Sequence, residues 1–530
     1  MSSPPSLLRA FTTVGGYTLM SRVAGFVRDT LISTFLGAGR DADAFFIAQQ
    51  FPNLFRSLFA EGAFSAGFVP IFSQTLEKEG PEKAKQFADE SFAVLAVVLL
   101  FFCAAMMVAM PVALYVMAPG FDRIPGQMER TTELARVAFP YLLFVSLTSL
   151  QSGVLNSFHR FAVPAAAPVL ANITLIAALL IGVGTDGDRA MFLSWGIFIT
   201  GIVQFVWLWL DCRRIGVGFK LVRPRLTPNV KRLITRTLPV VFGAGIYQIN
   251  LVVNKTIASF VGAGAVSWLY YADRVNLLPV GIFGTAIGIA LLPLLTRQIH
   301  AGEEAAAISN QNRAIEVSLL LTVPSAVGIA MLAGAITSVL FEHGVFTPTD
   351  RVMVAQALLA FSFGLPAYVL NKALTPGFFA RHDTKTPVKA SAVALIVNIV
   401  LNVGLAPFLG HVGIALGTSI SAWLNAGLLA WSLRKRGHLV MDARLKRRMP
   451  RLILATLVMM TLLWGLDLLI TSHFGAVFGA GDVPAAGNLL RVSMLTILIG
   501  IGAVGFGLAA LLFGAAERSD LAQLRRKRAA

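Results

Sequence analysis

The sequence predicts an all-α integral membrane protein with about fourteen transmembrane helices. Only 13% of its 530 residues are charged and 56% are hydrophobic. Soluble domains have about a quarter of their residues charged. The mean hydropathy of +0.74 agrees with this comparison. These values indicate that lipid is the main solvent of the chain.

The apolar stretches of the chain have the length of membrane spans. A helix needs about 20 apolar residues to cross the hydrocarbon core, where backbone groups cannot bond to water. The first stretch is too long for a signal peptide and carries Arg22, Arg28 and Asp29, so we expect a retained helix. The fourteen stretches lie near 11–36, 45–75, 90–118, 134–157, 164–183, 191–211, 234–261, 270–297, 313–341, 354–378, 388–408, 412–433, 451–472 and 488–514.

Basic residues are concentrated in every second loop between these stretches. One set of loops includes the dense run from Arg434 to Arg451, whereas the other set holds only a few, such as Arg40 and Arg123. Because cytoplasmic loops are enriched in Lys and Arg, both termini are predicted to be cytoplasmic. The same distribution explains the net charge of +17 without nucleic acid as a partner.

Four segments of the first half recur in the second half, at an offset of 221–226 residues. Six helices per copy is an even number, so the copies have the same orientation and form a parallel repeat. We expect a six-helix lobe at 1–222, a second at 223–438, and two more helices with a basic cytoplasmic tail at 439–530. The pairs are FLGAGRDADAFF with FVGAGAVSWLYY, FVPIFSQTLEKEG with LLPLLTRQIHAGE, NSFHRFAVPAAAPVLANITL with FFARHDTKTPVKASAVALIVNI, and DCRRIG with SLRKRG.

Several predicted spans carry ionisable side chains. Each costs about 2.5–3.5 kcal/mol at the midplane on insertion scales, so such residues suggest function. The cations outnumber the anions six to three. The set comprises Arg22, Arg28, Arg56, Lys255, Arg274 and Lys372 with Asp29, Glu61 and Asp273. Arginine stays charged and binds phosphate in bidentate fashion, so we predict a cationic cavity for an anionic, lipid-linked substrate.

The alternative is that these charges are structural. Asp29 follows Arg28 and Asp273 precedes Arg274, which fits buried ion pairs in part. Long side chains near helix ends can also extend to the membrane interface. For Lys255 and Lys372, a role in the cavity and a structural role both remain open.

A second polar set lies mainly in the second lobe. Asn398 and Asn402 are four apart and share one helical face, and Asn254 and Thr418 add oxygens from other helices. Such oxygens suit a small hard cation such as sodium, but without a carboxylate the binding would be weak. Hydrogen bonding between helices is the favoured interpretation.

The chain lacks the common motifs of enzymes and ATPases. It contains no GxxxxGK[ST] loop, HExxH helix or GxSxG elbow, and its two cysteines, Cys103 and Cys212, have no metal-type spacing. We therefore predict a transporter without a cofactor, driven by an ion gradient, the membrane potential or substrate flow.

Several long runs resemble one family. They are SRVAGFVRD at Ser21, DAFF at Asp43, PNLFRSLFAEGAFS at Pro52, YYADR at Tyr270 and KTP at Lys385. On these runs the chain resembles the MurJ (MviN) family of the MOP transporter superfamily, the lipid II flippases of peptidoglycan synthesis. The resemblance extends from the first helix to the last. It implies a bacterial inner-membrane, fourteen-helix, two-lobe transporter that moves lipid II to the periplasmic leaflet by alternating access.

The resemblance also implies roles for particular residues. The cavity arginines of the family fall on Arg22, Arg28, Arg56 and Arg274, and its acidic positions fall on Asp43 and Glu61. The last two helices would form a groove for the lipid tail. A sodium site of some members resembles the positions Asn254, Asn398, Asn402 and Thr418, but this chain has Asn where carboxylates occur in those members.

The expected partners follow from the same resemblance. They are lipid II, membrane lipids and a coupling ion, H⁺ or Na⁺, or the membrane potential, and we expect a monomer that is also a candidate for a cell-wall synthesis complex. Three alternatives remain: an exporter of another lipid-linked oligosaccharide, a drug exporter of the same superfamily, and a scaffold that recruits cell-wall enzymes through basic loops. A drug exporter for cations should line its cavity with carboxylates, which the cationic surplus opposes.

Overall fold

The computed structural model describes residues 7–59, 63–474, 476–479 and 487–517, and for residues 7–12, 57–59, 63–66, 238–247 and 249 it describes the backbone alone. Across these ranges every regular element is helical. Ten helical stretches of the described residues are long and apolar enough to cross a membrane. The predicted all-α membrane class is confirmed, whereas the number of fourteen spans stays a prediction.

The described residues form seventeen α-helices. A 3₁₀ turn, Pro119–Arg123, follows α4, and a π-helical segment, Val280–Gly284, joins α10 to α11. The first nine helices are α1 Leu7–Leu36, α2 Arg40–Phe59, α3 Ala63–Glu79, α4 Pro81–Met117, α5 Gln127–Ala138, α6 Tyr141–Ser157, α7 Ala162–Gly184, α8 Arg189–Arg214 and α9 Pro228–Val261. The others are α10 Ala265–Pro279, α11 Thr285–His300, α12 Glu304–Met331, α13 Ala333–Phe341, α14 Pro348–Phe379, α15 Lys385–Lys435, α16 Ala443–Phe474 and α17 Asn488–Leu512.

The chain divides into two compact units, Met1–Ser267 and Trp268–Ala530. In the first unit, α9 packs against α2, α3 and α4. The repeat assigned this helix to the second lobe, yet its packing groups it with the first unit. The predicted lobe boundaries at 222 and 438 therefore stay a prediction about the repeat.

Each unit has its own apolar core. In the first unit, Phe68 of α3 stacks on Phe87 of α4, with ring centroids 5.3 Å apart. In the second unit, a cluster that includes Phe378, Leu433 and Leu452 joins α14 and α15 to the C-terminal helix α16. Burial of a large apolar side chain contributes about 1.5–3 kcal/mol, so these clusters stabilise the packing of α3 on α4 and of α14 and α15 on α16.

Helix α15 contains a sharp kink. Its 51 residues would extend about 75 Å as a straight helix, far more than the membrane core of about 30 Å. The backbone leaves helical geometry at Gly410, where φ is 56° and ψ is −137°. A positive φ of this kind is readily adopted only by glycine. The kink therefore divides α15 into two segments, each of a length suited to one span.

Two turns of the first unit recur in the second with the same hydrogen bonds. His159 and His382 have φ of 57° and 60°, and both donate from their backbone N–H to the carbonyl three residues earlier. At the turns that follow α8 and α15, Gly216 and Gly437 adopt positive φ. Both donate from their backbone N–H to the carbonyl three residues earlier. The sequence repeat thus corresponds to repeated local structure at these turns, while the full repeat arrangement stays a prediction.

Candidate functional site

Arg28 lies on α1 and is held by residues of two helices. Its Nε and Nη2 donate to the Asp29 carboxylate at 3.0 and 2.7 Å, and its Nη1 donates to Oδ1 of Asn172 on α7 at 2.9 Å. Only 11% of the Arg28 side chain is exposed. The sequence predicted the Arg28–Asp29 neighbourhood, but Asn172 was not among the predicted residues.

The other two arginines of the first unit are less enclosed. Arg22 is exposed on α1, and Arg56 is half-buried near the end of α2. Glu61, the acidic residue predicted to accompany Arg56, lies outside the described residues. The structure therefore gives a detailed environment for Arg28 and only positions for Arg22 and Arg56.

Arg274 of the second unit contacts an aromatic side chain one turn earlier on α10. Its Nη2 donates to the Tyr270 hydroxyl at 2.8 Å, and its guanidinium carbon lies 4.7 Å from the Tyr270 ring centroid. The ring face attracts the cation, and the hydroxyl orients it. Asp273, the neighbour predicted as a supporting charge, is half-buried.

The two lysines have different environments. The Lys255 ammonium donates to the Phe46 carbonyl at 3.3 Å and to Oε1 of Gln50 at 2.9 Å, which joins α9 to α2. These bonds favour a structural role for Lys255. Lys372 is exposed on α14, and a β-carbon placed at Gly284 would lie 3.4 Å from the Lys372 stem. Its stem therefore packs beside the π-helical segment.

Asp43 is fully buried and accepts hydrogen bonds at the start of α10. Its carboxylate receives the backbone N–H of Gly264 at 2.6 Å and of Ser267 at 2.7 Å, and the Ser267 hydroxyl at 2.6 Å. The first N–H groups of a helix have no partner within it, and they favour negative charge. Asp43 therefore caps α10 from a distant helix, which sequence alone did not predict.

Three of the four residues of the predicted cation site lie together in the second unit. Asn398 donates to the Thr418 hydroxyl and Asn402 donates to the Asn398 carbonyl oxygen, both at 3.3 Å. Asn254 belongs to the first unit and donates to Asn250 at 3.4 Å. The set offers neutral oxygens that already bond within α15 across its kink, so its chemistry fits hydrogen bonding better than sodium binding.

Within the described residues, no group of three or more His, Cys, Asp or Glu side chains is placed to hold a metal ion. A cavity of about 310 Å³ in the second unit is lined mainly by small and apolar residues beside Arg351. Neither Arg274 nor Lys372 lines it. Within the second unit, this cavity is therefore separate from Arg274 and Lys372.

One loop carboxylate outside the spans has a strongly perturbed acidity. Partial burial opposes the charge of Asp383, but bonds from the hydroxyl and N–H of Thr386 and from Arg436 lower the pKa of Asp383 well below its ordinary value. Arg436 lies at the end of α15 and Asp383 just before its start. The ion pair therefore links the residues that flank the two ends of the kinked helix α15.

The sequence of this chain matches a known family over most of its length. The profile of the family described as lipid II flippase MurJ matches residues 32–480. A probable lipid II flippase MurJ from Rhizobium tropici is 42% identical over 99% of this chain and 98% of its own. The chain belongs to the MurJ family.

Other members of the MurJ family match at similar extent. A probable lipid II flippase MurJ from Rhizobium meliloti strain 1021 is 43% identical over 87% of this chain and 86% of its own. The lipid II flippase MurJ of Burkholderia cenocepacia is 36% identical over 82% of this chain and 84% of its own. The resemblance predicted from the sequence runs is thereby confirmed.

Solved structures support the fold. A lipid II flippase MurJ in an inward closed conformation matches with a TM-score of 0.77 and 24% identity, over 94% of this chain and 98% of the other. A multidrug resistance MATE transporter of the MOP superfamily matches with a TM-score of 0.65 and 16% identity, over 78% and 94% of the two chains. At these identities the similarities concern the fold alone.

Proposed function

We propose that this protein is a flippase that moves lipid II from the cytoplasmic to the periplasmic leaflet of the bacterial inner membrane by alternating access. The observation that carries the proposal is the family match over residues 32–480, together with relatives named as lipid II flippases. A protein of this kind is a transporter and catalyses no covalent step. The MATE similarity concerns the fold alone and does not favour drug export.

Arg22, Arg28, Arg56 and Arg274 are proposed to line the path of the pyrophosphate. Arginine presents a planar fork of donors that matches phosphate oxygens, and it remains charged at every physiological pH. The arrangement around Arg28 supports this role, because Asp29 and Asn172 hold its guanidinium in one orientation. Tyr270 gives comparable support to Arg274.

We also propose fourteen spans with both termini cytoplasmic. Ten helical stretches qualify by length and apolarity, and the kink at Gly410 supports counting α15 as two spans. The other three spans are α1, α2 with α3, and α9. These are the helices that carry Arg28, Arg56 and Lys255. Charged residues are expected in spans that line a polar path, so these three helices are consistent with the count.

The two C-terminal helices are proposed to guide the lipid tail. Helix α16 packs against α12 and α17, and exposed apolar side chains such as Leu454, Leu468 and Val504 cover their outer faces. A prenyl chain can remain in the hydrocarbon region beside such faces while the charged head group crosses. The proposed partner is therefore lipid II in a membrane, without nucleic acid.

Transport is proposed to use a proton gradient or the membrane potential. The protein is proposed to act as a monomer that can join a cell-wall synthesis complex. The absence of an ATPase motif from the sequence supports an ion-driven or potential-driven process. The hydrogen bonds among Asn398, Asn402 and Thr418 support a structural role for this polar set rather than sodium coupling.

Complementation tests the proposed function and its arginine site. A strain depleted of its own lipid II flippase should grow when it expresses this protein and should fail with Arg28→Ala at an equal protein level. Arg213→Ala is a matched control, because Arg213 is exposed and lies over the Trp209 ring at the end of α8. Normal growth with Arg28→Ala would remove Arg28 from the site, and lysis despite a well-expressed wild type would oppose the function itself.

A further inference from the structure

Asn172 is a buried polar side chain in the middle of the apolar helix α7. Only 6% of the residue is exposed, and the helix contains no charged residue. A buried amide must be hydrogen-bonded to avoid a desolvation cost of about 1–3 kcal/mol. The partners of Asn172 therefore indicate what the residue does.

The hydrogen bonds define which way the amide points. Nδ2 donates to the Ser21 carbonyl at 3.0 Å and to the Pro168 carbonyl at 3.0 Å, with the Ser21 hydroxyl at 3.4 Å. The two backbone carbonyls can only accept hydrogen bonds, so the NH2 group of the amide, and not its oxygen, must face them. Oδ1 must then face Nη1 of Arg28, 2.9 Å away.

The amide lies directly over α1. A β-carbon placed at Gly25 would be 3.6 Å from both Oδ1 and Nδ2 of Asn172. From this position Asn172 reaches Ser21 on one side of Gly25 and Arg28 on the other. It therefore connects two turns of α1 to α7 and fixes one edge of the Arg28 guanidinium, while Asp29 fixes another.

We infer that Asn172 is a positioning residue for Arg28, which it orients towards the pyrophosphate of the lipid-linked substrate. This inference rests on the proposed function. An arginine held in its binding orientation loses less side-chain entropy when phosphate binds. A neutral amide suits this purpose because Asp29 already balances the Arg28 charge. A second carboxylate at position 172 would make the group net negative and would repel phosphate.

A double-mutant cycle tests the inference. The variants are Asn172→Leu, Arg28→Ala and the double variant, each purified in detergent. The probes are undecaprenyl pyrophosphate and undecaprenyl monophosphate, and the readouts are the affinity for each probe and the temperature of thermal unfolding. Asn172→Leu should weaken pyrophosphate binding about tenfold, as expected for loss of a charge-assisted hydrogen bond. In the Arg28→Ala background it should add no further loss.

Two controls separate positioning from packing. Thr174→Val removes another polar group of α7, one that bonds only within the helix to the Leu170 carbonyl in the contacts described, and it should leave binding unchanged. Asn172→Ser removes the reach to Arg28 while it keeps a small polar side chain, and it serves if Asn172→Leu is poorly folded. Both Asn172 variants should also reduce the preference for pyrophosphate over monophosphate, which a general loss of packing would not change.

The outcomes distinguish the inference from the function on which it rests. Equal and additive losses in both backgrounds, with an unchanged pyrophosphate preference, would show that Asn172 only joins α1 to α7 and would overturn the inference. Unchanged affinity in Asn172→Leu would also overturn it. If Arg28→Ala itself binds pyrophosphate normally, the arginine site of the proposed function fails instead.

Discussion

The Asp43 carboxylate on α2 accepts both the backbone N–H and the hydroxyl of Ser267, a residue 224 positions later in the chain. Together with the Gly264 N–H, these groups form the start of α10. The backbone at Gly264 has a φ of 94°, a region that favours glycine, and this turn presents its N–H to the carboxylate. One buried acidic side chain thus substitutes for a local N-cap.

Replacement of Asp43 by alanine should destabilise the protein. The variant leaves two backbone N–H groups and a hydroxyl without their charged acceptor, at a cost of about 1–3 kcal/mol. Thermal unfolding in detergent should show a lower midpoint for Asp43→Ala. Asp41→Ala is the matched control, because Asp41 is exposed on the same turn and contacts Arg130 at 3.3 Å. An equal midpoint for wild type and Asp43→Ala would contradict the capping role.

Tyr270 should orient Arg274 through both its ring and its hydroxyl. Tyr270→Phe keeps the ring under the guanidinium, which contributes about 0.5–2 kcal/mol, and removes only the hydrogen bond. Tyr270→Ala removes both interactions. Lipid II affinity should therefore fall modestly in the first variant and more strongly in the second. Equal affinities for both variants and the wild type would show that Arg274 does not depend on Tyr270.

The membrane fold and the family could be predicted from sequence because both depend on long, specific signals. Apolar stretches of span length define helices without reference to tertiary contacts. Family runs such as SRVAGFVRD extend over many consecutive residues, so their match is specific. The predicted association of Arg28 with Asp29 was also local, since the two residues are adjacent.

The remaining details depend on contacts between distant parts of the chain. Asn172 is 144 residues from Arg28, and Ser267 is 224 residues from Asp43. Spacing along one helix cannot predict such pairs. A signal for Asn172 did exist, because it lies in the repeated segment NSFHRFAVPAAAPVLANITL, whose second copy has Asn398 next to its last residue. The division of the chain after Ser267 likewise follows from how α9 packs and not from the repeat.

Gly417 should tolerate no side chain, because of its closeness to Asn402. A β-carbon at Gly417 would lie only 2.2 Å from the Asn402 Oδ1 atom. Gly417→Ala should therefore displace Asn402 and destabilise the protein by about 1–3 kcal/mol, as overpacked cores do. Gly427→Ala is the control, since among the described residues no atom outside the neighbouring backbone of its own helix lies within 4 Å of a β-carbon placed there. Similar unfolding temperatures for the two variants would oppose this packing.

The Asn398–Asn402–Thr418 set should not confer sodium dependence on transport. Its amides and hydroxyl bond to one another and to the Ile414 carbonyl, and they provide no carboxylate to balance a cation. Lipid II translocation into proteoliposomes should proceed equally with sodium or potassium as the only cation. Asn402→Ala should lower the unfolding temperature without creating a sodium requirement. Translocation that stops without sodium would contradict this prediction.

Asp383 should make stability depend on acidic pH. Its pKa in the folded protein is below the ordinary value of about 3.9, so its ion pair stabilises the fold above about pH 4. That contribution is lost as the pH falls through the lowered folded pKa. The pair is partly exposed, so Asp383→Asn should cost roughly 1 kcal/mol or less near neutral pH. Thermal unfolding of wild type and Asp383→Asn should converge in acid.

Removal of the basic partner provides the control for that pH dependence. Arg436→Gln leaves Asp383 with the Thr386 bonds alone, so it should reduce the difference between neutral and acidic conditions without abolishing it. A difference between wild type and Asp383→Asn that grows as the pH falls would contradict the direction of the Asp383 pKa shift.

The most direct test of the account is the accessibility of lipid II at the outer leaflet of cells depleted of this protein and of any redundant flippase. An enzyme that cleaves only exposed lipid II provides the measurement. Depletion should abolish cleavage, wild type should restore it, and Arg28→Ala at an equal protein level should not. Unchanged cleavage after depletion would contradict transport of lipid II by this protein.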